Sequence, residues 1–190
     1  MLQMAAEIAD GMFYLERRKI IHRLVFTRDN ETYNDYFRDL AARNCMVSGT
    51  EVVKVGDLGM ARNVYMTDYY HASRRGPLPI RWMAPEAICD GMFTSHSDVW
   101  SFGVVLWEIA TLAELPYQGL SNEEVISHVR RGKQLPDVEN CQHIFRKLMS
   151  ECWQVQPTSR PTFLNVCRWV HTELYRKVFR TRPIVNYAKD

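Results

Sequence analysis

Residues 39–44 read Asp-Leu-Ala-Ala-Arg-Asn, and this run places an acid and an amide five positions apart on what we expect to be a tight loop. A carboxylate can accept a proton from a hydroxyl group, and an amide oxygen can bind a magnesium ion. Phosphoryl transfer needs both functions within a few ångströms of each other. A second carboxylate, Asp57, follows Asn44 downstream in an Asp-Leu-Gly sequence. The pattern therefore predicts a magnesium-dependent site that contains Asp39, Asn44 and Asp57.

Composition limits the classes of protein that remain. The chain has 190 residues, of which 46% are apolar and 24% charged, as in ordinary soluble globular proteins. Its formal net charge of +2 is too close to zero to indicate a nucleic-acid partner. The five cysteines are scattered and form no Cys-x-x-Cys pair, which argues against a zinc site and favours a reducing compartment.

The sequence shows neither a signal peptide nor a membrane segment. The longest apolar stretch, Phe102 to Ala110, is too short to cross a bilayer and is interrupted by Glu108. No basic segment leads into an apolar one at the start of the chain. We therefore expect this chain by itself to be soluble and cytoplasmic.

The apolar pattern predicts a mainly helical domain. Apolar residues at helical spacing predict a first helix from Met1 to about Leu15. Residues 45–55 are typical of a short β-hairpin, and residues 60–81 of a long loop. Further helices are predicted over Val99–Ile109, from Ser121 to about Gly132, over 144–152 and from Phe163 to about Leu174. The chain from Val178 onward is basic and is predicted to be irregular.

Four separated motifs point to one family. They are the 39–44 run, the Asp-Leu-Gly at 57–59, residues 79–86 (Pro-Ile-Arg-Trp-Met-Ala-Pro-Glu) and residues 97–103 (Ser-Asp-Val-Trp-Ser-Phe-Gly). Cys152-Trp153 and the Arg-Pro-Thr-Phe sequence at 160–163 follow downstream. In this order and at these separations they resemble the large, C-terminal lobe of a protein kinase. The resemblance implies a mainly α fold with a small β-hairpin, a kinase lobe over residues 1–175 and a basic tail over 176–190.

The resemblance is to tyrosine-specific kinases. The Asp-Leu-Ala-Ala-Arg-Asn run together with Arg-Trp-Met-Ala-Pro-Glu is similar to that branch, and residues 65–70 resemble the three-tyrosine activation loop of the insulin-receptor group. This implies magnesium-dependent transfer of the terminal phosphoryl group of ATP to protein tyrosine hydroxyls. Its partners would be tyrosine-containing proteins and adaptors that read phosphotyrosine. The location implied is the cytoplasmic side of the plasma membrane, within a single-pass receptor.

The resemblance also implies residue roles. Asp39 would be the base that orients the acceptor hydroxyl, and Arg43 would help to position the acceptor. Asn44 and Asp57 would bind magnesium. Autophosphorylation sites are implied at Tyr65, Tyr69 and Tyr70, where each phosphate would add charge that can order a loop against arginines.

Three further residues have implied structural roles. Glu86 and Arg160 would form a buried ion pair that anchors the end of the activation segment. Asp98 would hold the backbone of the catalytic loop from the central helix.

Parts of a complete kinase are not found in the sequence. No Gly-x-Gly occurs in it, and neither a glycine-rich loop nor the strand lysine of the ATP-binding small lobe can be identified. We therefore expect weak or absent nucleotide binding and no useful activity from this chain alone. A pseudokinase that serves as a non-catalytic interaction module is the alternative. Thermal stabilisation by magnesium-ATP would distinguish the two, because a scaffold need not respond to it.

An extra segment, residues 24–38, separates His22-Arg23 from Asp39, although the family places this histidine and arginine directly before the acid. One explanation is an adaptive insertion in which Tyr33 or Tyr36 acts as a pseudosubstrate, and another is a degenerating pseudokinase. We favour an in-frame retained intron. Both ends can be encoded as common splice-site sequences, and removing the segment restores His-Arg-Asp. Sequenced cDNA that consistently contains the segment would contradict this hypothesis.

Overall fold

The computed structural model describes residues 1–18, 39–56, 70–71 and 77–181. Six α-helices lie in these ranges: α1 (Leu2–Arg17), α2 (Pro85–Asp90), α3 (Ser95–Ala110), α4 (Asn122–Arg130), α5 (His143–Cys152) and α6 (Phe163–Thr181). The described strands form two antiparallel pairs, β1 (Cys45–Val47) with β2 (Val53–Val55), and β3 (Tyr70–His71) with β4 (Pro77–Leu78). Single turns of 3-10 helix lie at Ala42–Asn44, Ile80–Trp82 and Pro157–Ser159. The predicted mainly helical fold with a small hairpin is confirmed.

Helix α3 is buried along most of its length, as its nearly uninterrupted apolar sequence predicts. A capping box starts it: the Thr94 hydroxyl accepts from the Ser97 amide, and the Ser97 hydroxyl accepts from the Thr94 amide. This cap extends the helix four residues before the predicted start at Val99. Helix α3 packs against α5 and contacts all three 3-10 turns. It is therefore the support on which separate loops of the chain are brought together.

Helix α1 holds the hairpin in place. The residues of its apolar stripe are buried and pack towards α6 and β2: Leu2, Ala5, Ala6, Ile8, Ala9, Met12 and Leu15. On the side facing the hairpin, Glu7 Oε2 accepts a hydrogen bond of 2.7 Å from the Val53 amide. A Cβ at Gly11 would lie only 3.2 Å from Val55 Cγ2, so glycine allows the helix and the strand to approach this closely.

The β1–β2 hairpin is the one predicted for residues 45–55. Its register pairs Cys45 with Val55, Met46 with Lys54 and Val47 with Val53. Strand β1 follows Asn44 directly, so the hairpin fixes where the preceding loop ends. Met46 is 62% exposed and Val47 58%, which leaves apolar surface uncovered on both faces of β1.

Residues 60–81, predicted as one irregular loop, contain regular structure where the chain is described. Strands β3 and β4 pair Tyr70 with Leu78 and His71 with Pro77, and the Ile80–Trp82 turn follows. The prediction was wrong for these parts because elements of two or three residues are too short to produce an apolar period.

The later helices follow their local sequence signals. In the predicted capping box of α4, Ser121 Oγ accepts from the Glu124 amide, and Glu124 Oε2 accepts from the Ser121 amide. The helix ends at Arg130, shortly before Gly132, whose φ of 71° is readily adopted only by glycine. Helix α5 was predicted within one residue of its observed start.

Helix α6 continues to Thr181, although residues from Val178 were predicted to be irregular. The sequence around 173–177 is rich in good helix formers, and Arg176 lies 3.4 Å from Glu173 one turn earlier. These features favour continuation of the helix past Leu174, where the predicted apolar stripe ends. The boundary proposed between residues 175 and 176 consequently falls inside a helix.

Candidate active site

The 39–44 loop is anchored to the core by its apolar members. Leu40 is 4% exposed and Ala41 is fully buried, and both belong to the main hydrophobic cluster. The backbone then turns through the Ala42–Asn44 3-10 helix. This leaves Asp39, Arg43 and Asn44 half-buried at the edge of the core, where polar side chains can meet a ligand.

Asp39 and Arg43 form an ion pair. Arg43 Nη2 donates to Asp39 Oδ2 at 2.5 Å. The side chain of Arg43 is 16% exposed and that of Asp39 is 8% exposed. A planar guanidinium beside a carboxylate restrains the carboxylate to one orientation. The candidate base is thus held on one side while its loop remains at the surface of the lobe.

Asn44 is oriented by the same loop. Its Nδ2 donates to the backbone carbonyl of Asp39 at 2.7 Å, so its Oδ1 points away from that carbonyl. An amide oxygen held in this way suits a hard cation such as magnesium, which prefers oxygen ligands. Asn44 therefore fits the metal that the family resemblance implies.

The chain segment that leads to Asp57 lies against Asn44. The Gly56 amide donates to the Asn44 carbonyl at 2.8 Å. A Cβ at Gly56 would lie 3.3 Å from that carbonyl oxygen and 2.7 Å from Met46 Cε, so a side chain here would crowd the contact. Asp57 itself lies outside the described residues, but the residue before it, Gly56, forms a backbone hydrogen bond with Asn44, the other proposed magnesium ligand.

Glu108 connects the 39–44 loop with the Ile80–Trp82 turn. It lies on α3 and is 7% exposed, and its Oε2 accepts from the Ala42 amide and from Trp82 Nε1, both at 2.9 Å. Burial raises the pKa of the Glu108 carboxyl, whereas these two hydrogen bonds and the Arg43 charge act in the opposite direction. This role of Glu108 was not predicted from the sequence. The available signal was a carboxylate inside an otherwise apolar helix.

The Ile80–Trp82 turn is fixed by its arginine. Arg81 is 7% exposed, and its guanidinium donates to the carbonyls of Pro116, Tyr117 and Leu120 at 2.8, 2.9 and 2.6 Å. The next residue, Trp82, places its ring beneath Arg43, whose Cζ lies 4.0 Å from the ring centroid. The turn therefore reaches the Asp39–Arg43 pair through a cation–π contact.

Glu86 and Arg160 lie together in the core. Arg160 Nη1 and Nη2 donate to the two Glu86 oxygens at 2.6 and 2.9 Å. Arg160 also donates to the carbonyls of His96 and Gln154, and it lies over the Trp100 ring at 5.1 Å. The Arg160 side chain is fully buried, so the charge of each residue is compensated mainly by the charge of the other.

Several predicted residues cannot be placed in the site. Asp57, Tyr65, Tyr69 and the extra segment 24–38 lie outside the described residues, and Tyr70 is described only as part of β3. Asp98 is buried in the first turn of α3, and its role towards the catalytic loop stays a prediction.

The described residues contain neither a metal-binding cluster nor a membrane-spanning helix. No group of three or more His, Cys, Asp or Glu side chains that could hold a metal ion occurs within 1–18, 39–56, 70–71 and 77–181. None of the helices described is long and apolar enough to cross a membrane.

One known family model matches most of the chain. The family model for protein tyrosine and serine/threonine kinases matches residues 32–170. The chain therefore belongs to the protein tyrosine and serine/threonine kinase family.

The similar individual proteins are receptors. The chain is 56% identical over 180 residues to the insulin receptor-related protein of Cavia porcellus. The matched region covers 95% of this chain and 13% of that protein. It is 53% identical over 174 residues to the insulin-like growth factor 1 receptor of Bos taurus, covering 92% of this chain and 25% of that protein. It is 52% identical over 173 residues to the insulin receptor of Xenopus laevis, covering 91% of this chain and 12% of that protein. The chain is thus a kinase-domain segment homologous to receptors of this group, and it spans a quarter or less of these relatives.

Proposed function

We propose that this chain supplies the phosphoryl-transfer half-site of a receptor-type protein-tyrosine kinase. The reaction is transfer of the terminal phosphoryl group of ATP to a protein tyrosine hydroxyl. The observation that supports it best is the mutual arrangement of the loop residues. Arg43 donates to the Asp39 carboxylate while Asn44 donates to the Asp39 carbonyl, so the acid and the amide are set side by side.

Each residue has a distinct task in this proposal. Asp39 accepts the hydrogen bond of the acceptor hydroxyl and takes its proton. Arg43 keeps the Asp39 carboxylate in one orientation and lies where an acceptor side chain must approach. The Asn44 oxygen and the Asp57 carboxylate would hold magnesium, which neutralises charge on the phosphates when it is bound.

Tyrosine as the acceptor is supported by the named relatives and by the Asp-Leu-Ala-Ala-Arg-Asn sequence. Tyr65, Tyr69 and Tyr70 would be autophosphorylation sites, whose phosphates would then attract adaptors that read phosphotyrosine. We place the intact protein at the cytoplasmic face of the plasma membrane, as part of a single-pass receptor.

We further propose that the 190-residue chain alone has no useful turnover. Its sequence contains no Gly-x-Gly, and the phosphate-binding loop and lysine of the family are not identifiable in it. A phosphotransfer assay with magnesium-ATP and a tyrosine peptide tests this directly. Turnover near the ~1–100 s⁻¹ of intact kinases would contradict it.

The half-site itself can be tested without turnover. We expect magnesium-ATP at millimolar concentration to shift the side-chain amide NMR signal of Asn44. The shift of neighbouring Gly56 should disappear in Asn44→Ala and persist in Asn140→Ala, which alters an exposed asparagine of the α4–α5 connection. Because we expect only weak binding by this chain, the deciding outcome is a spectrum that shifts elsewhere but not at Asn44 and Gly56, which would refute the proposed metal ligand.

A further inference from the structure

We infer that Glu108 is a positioning residue for the proposed reaction, because it fixes the catalytic loop and the Ile80–Trp82 turn to each other and so holds Arg43 against Asp39. The inference rests on the proposed function of Asp39. It assigns to helix α3 a role in setting the direction of the candidate base, beyond supporting the core.

The Ala42–Asn44 turn has no local side-chain cap. The preceding residue, Ala41, has no side-chain oxygen that could accept a hydrogen bond from the turn. Glu108 lies 66 positions away in the sequence and provides this acceptor to the Ala42 amide. A carboxylate at the start of a helical turn is favoured by the local dipole. Glu108 thereby fixes the backbone from which Arg43 and Asn44 project.

Glu108 also fixes the Trp82 side chain. The same Glu108 oxygen accepts from Trp82 Nε1, which sets the plane of the indole ring. Trp82 is 2% exposed, so its ring has little freedom once this bond is made. The ring supports the Arg43 guanidinium at 4.0 Å. One carboxylate oxygen thus controls both the backbone and the aromatic support of Arg43.

The charge of Glu108 also acts on Arg43. The Arg43 guanidinium is attracted by Asp39, with which it is paired, and by Glu108, whose carboxyl feels the Arg43 charge. The two carboxylates come from segments that are far apart in the sequence. Arg43 is therefore held between the loop and the central helix, and this restricts the directions in which the Asp39 carboxylate can turn.

The test uses NMR spectra of the ¹⁵N-labelled 190-residue chain and three variants. Glu108→Ala removes the acceptor, Glu108→Gln keeps an acceptor oxygen but removes the charge, and Glu114→Ala changes an exposed glutamate after α3 as the control. In Glu108→Ala we expect a shifted Arg43 Nε–H signal and about ten-fold faster exchange of the Trp82 indole proton, as loss of a hydrogen bond to a charged group implies. Glu108→Gln keeps the acceptor but loses the charge, so it should keep the indole exchange of Trp82 close to wild type and shift the Arg43 signal less than Glu108→Ala does. The control should change neither signal.

A role limited to stability gives a different result. Glu108→Ala would then lower the melting temperature without moving the Arg43 signal at temperatures well below the transition, and that outcome overturns the inference. If Glu108→Ala does not fold, Glu108→Asp decides the question, because it keeps the charge but is one methylene too short to reach both donors. An unmoved Arg43 signal in Glu108→Asp likewise overturns the inference.

A separate measurement distinguishes failure of the proposed function. A tyrosine peptide titrated into the wild-type chain should shift the backbone amide signals of Asp39 and Arg43. If it shifts neither, the acceptor site is wrong, while the variant spectra still decide whether Glu108 positions Arg43.

Discussion

Arg160 meets the Glu86 carboxylate with both terminal nitrogens, across 74 positions of sequence and with its own side chain fully buried. The pair connects the start of α2 with the segment just before α6. It therefore joins two parts of the lobe that no backbone ladder connects in the described structure. Such a pair contributes more to fixing the relative positions of the two segments than to net stability, because the cost of desolvating both charges offsets much of their attraction.

Removing one member of this pair should be costly. In Glu86→Ala the guanidinium stays buried without its carboxylate, and we expect the free energy of unfolding to fall by about 3–5 kcal/mol. Equilibrium urea denaturation measures the change. Glu173→Ala, which removes the surface partner of Arg176, is the matched control and should cost less than about 0.5 kcal/mol. Equal losses in the two variants would show that burial of the first pair has no consequence.

Gly103→Ala should destabilise the protein although alanine is the better helix former. A Cβ at this position of α3 would lie 2.6 Å from Trp153 Nε1 and 2.8 Å from Cys152 Cβ. Overpacking of this kind costs about 1–3 kcal/mol, which exceeds the gain in helix propensity of about 1 kcal/mol. Thermal denaturation gives the sign. Gly49→Ala serves as the control because a Cβ there meets nothing within 4 Å, and an unchanged melting temperature for Gly103→Ala would contradict the packing argument.

Glu108→Gln should stabilise the protein at neutral pH, and its advantage should shrink in acid. The folded-state pKa of Glu108 is raised, mainly by burial, so the folded state binds its proton more tightly than the unfolded state does. The stability contributed by this proton is present below the unfolded pKa near 4.5 and is lost as pH rises through the folded pKa. The charged groups facing it are Arg43 and Asp39, and its own charge raises the pKa of Cys45.

Denaturation midpoints of wild type and Glu108→Gln between pH 4 and 8 check this sign. The difference in favour of glutamine should grow with pH. A difference that is constant or falls with pH would mean that Glu108 does not titrate as its burial requires.

Thiol labelling should separate the cysteines by burial. Burial, together with the negative charge of Glu108, raises the pKa of Cys45 to about 12, and burial raises that of Cys167 to about 12. Because the thiolate is the reactive form, we expect both to react with iodoacetamide at pH 8 far more slowly than exposed Cys89. Peptide mass spectrometry after timed quenching gives the three rates, and the Cys89→Ser variant confirms the assignment. Fast labelling of Cys45 in the folded protein would show that its site is open to solvent.

The sequence predicted those elements whose signal is local. The capping box at Ser121 and the apolar stripe of α1 are contained within a few turns of chain, and both were found from residue pattern alone. The short β3–β4 ladder was missed because strands of two residues carry no apolar period of their own. The last turns of α6 were missed because their basic residues indicated the start of an irregular tail.

The candidate site was predicted in part for the same reason. Asp39, Arg43 and Asn44 lie within six residues of sequence, so a motif can predict them together. Glu108 approaches this loop only after folding, across 66 positions. In sequence it is one carboxylate in an apolar helix, and only the structure shows that Ala42 and Trp82 both donate to it.

The three carbonyls gathered by Arg81 have a consequence for local opening. The Ile80–Trp82 turn and residues 116–120 are joined by the buried Arg81 guanidinium. If residues 116–120 unfolded alone, this positive charge would stay in the interior without its carbonyl partners. Native-state hydrogen exchange should therefore release the two stretches together, as a single cooperative unit with one common opening free energy.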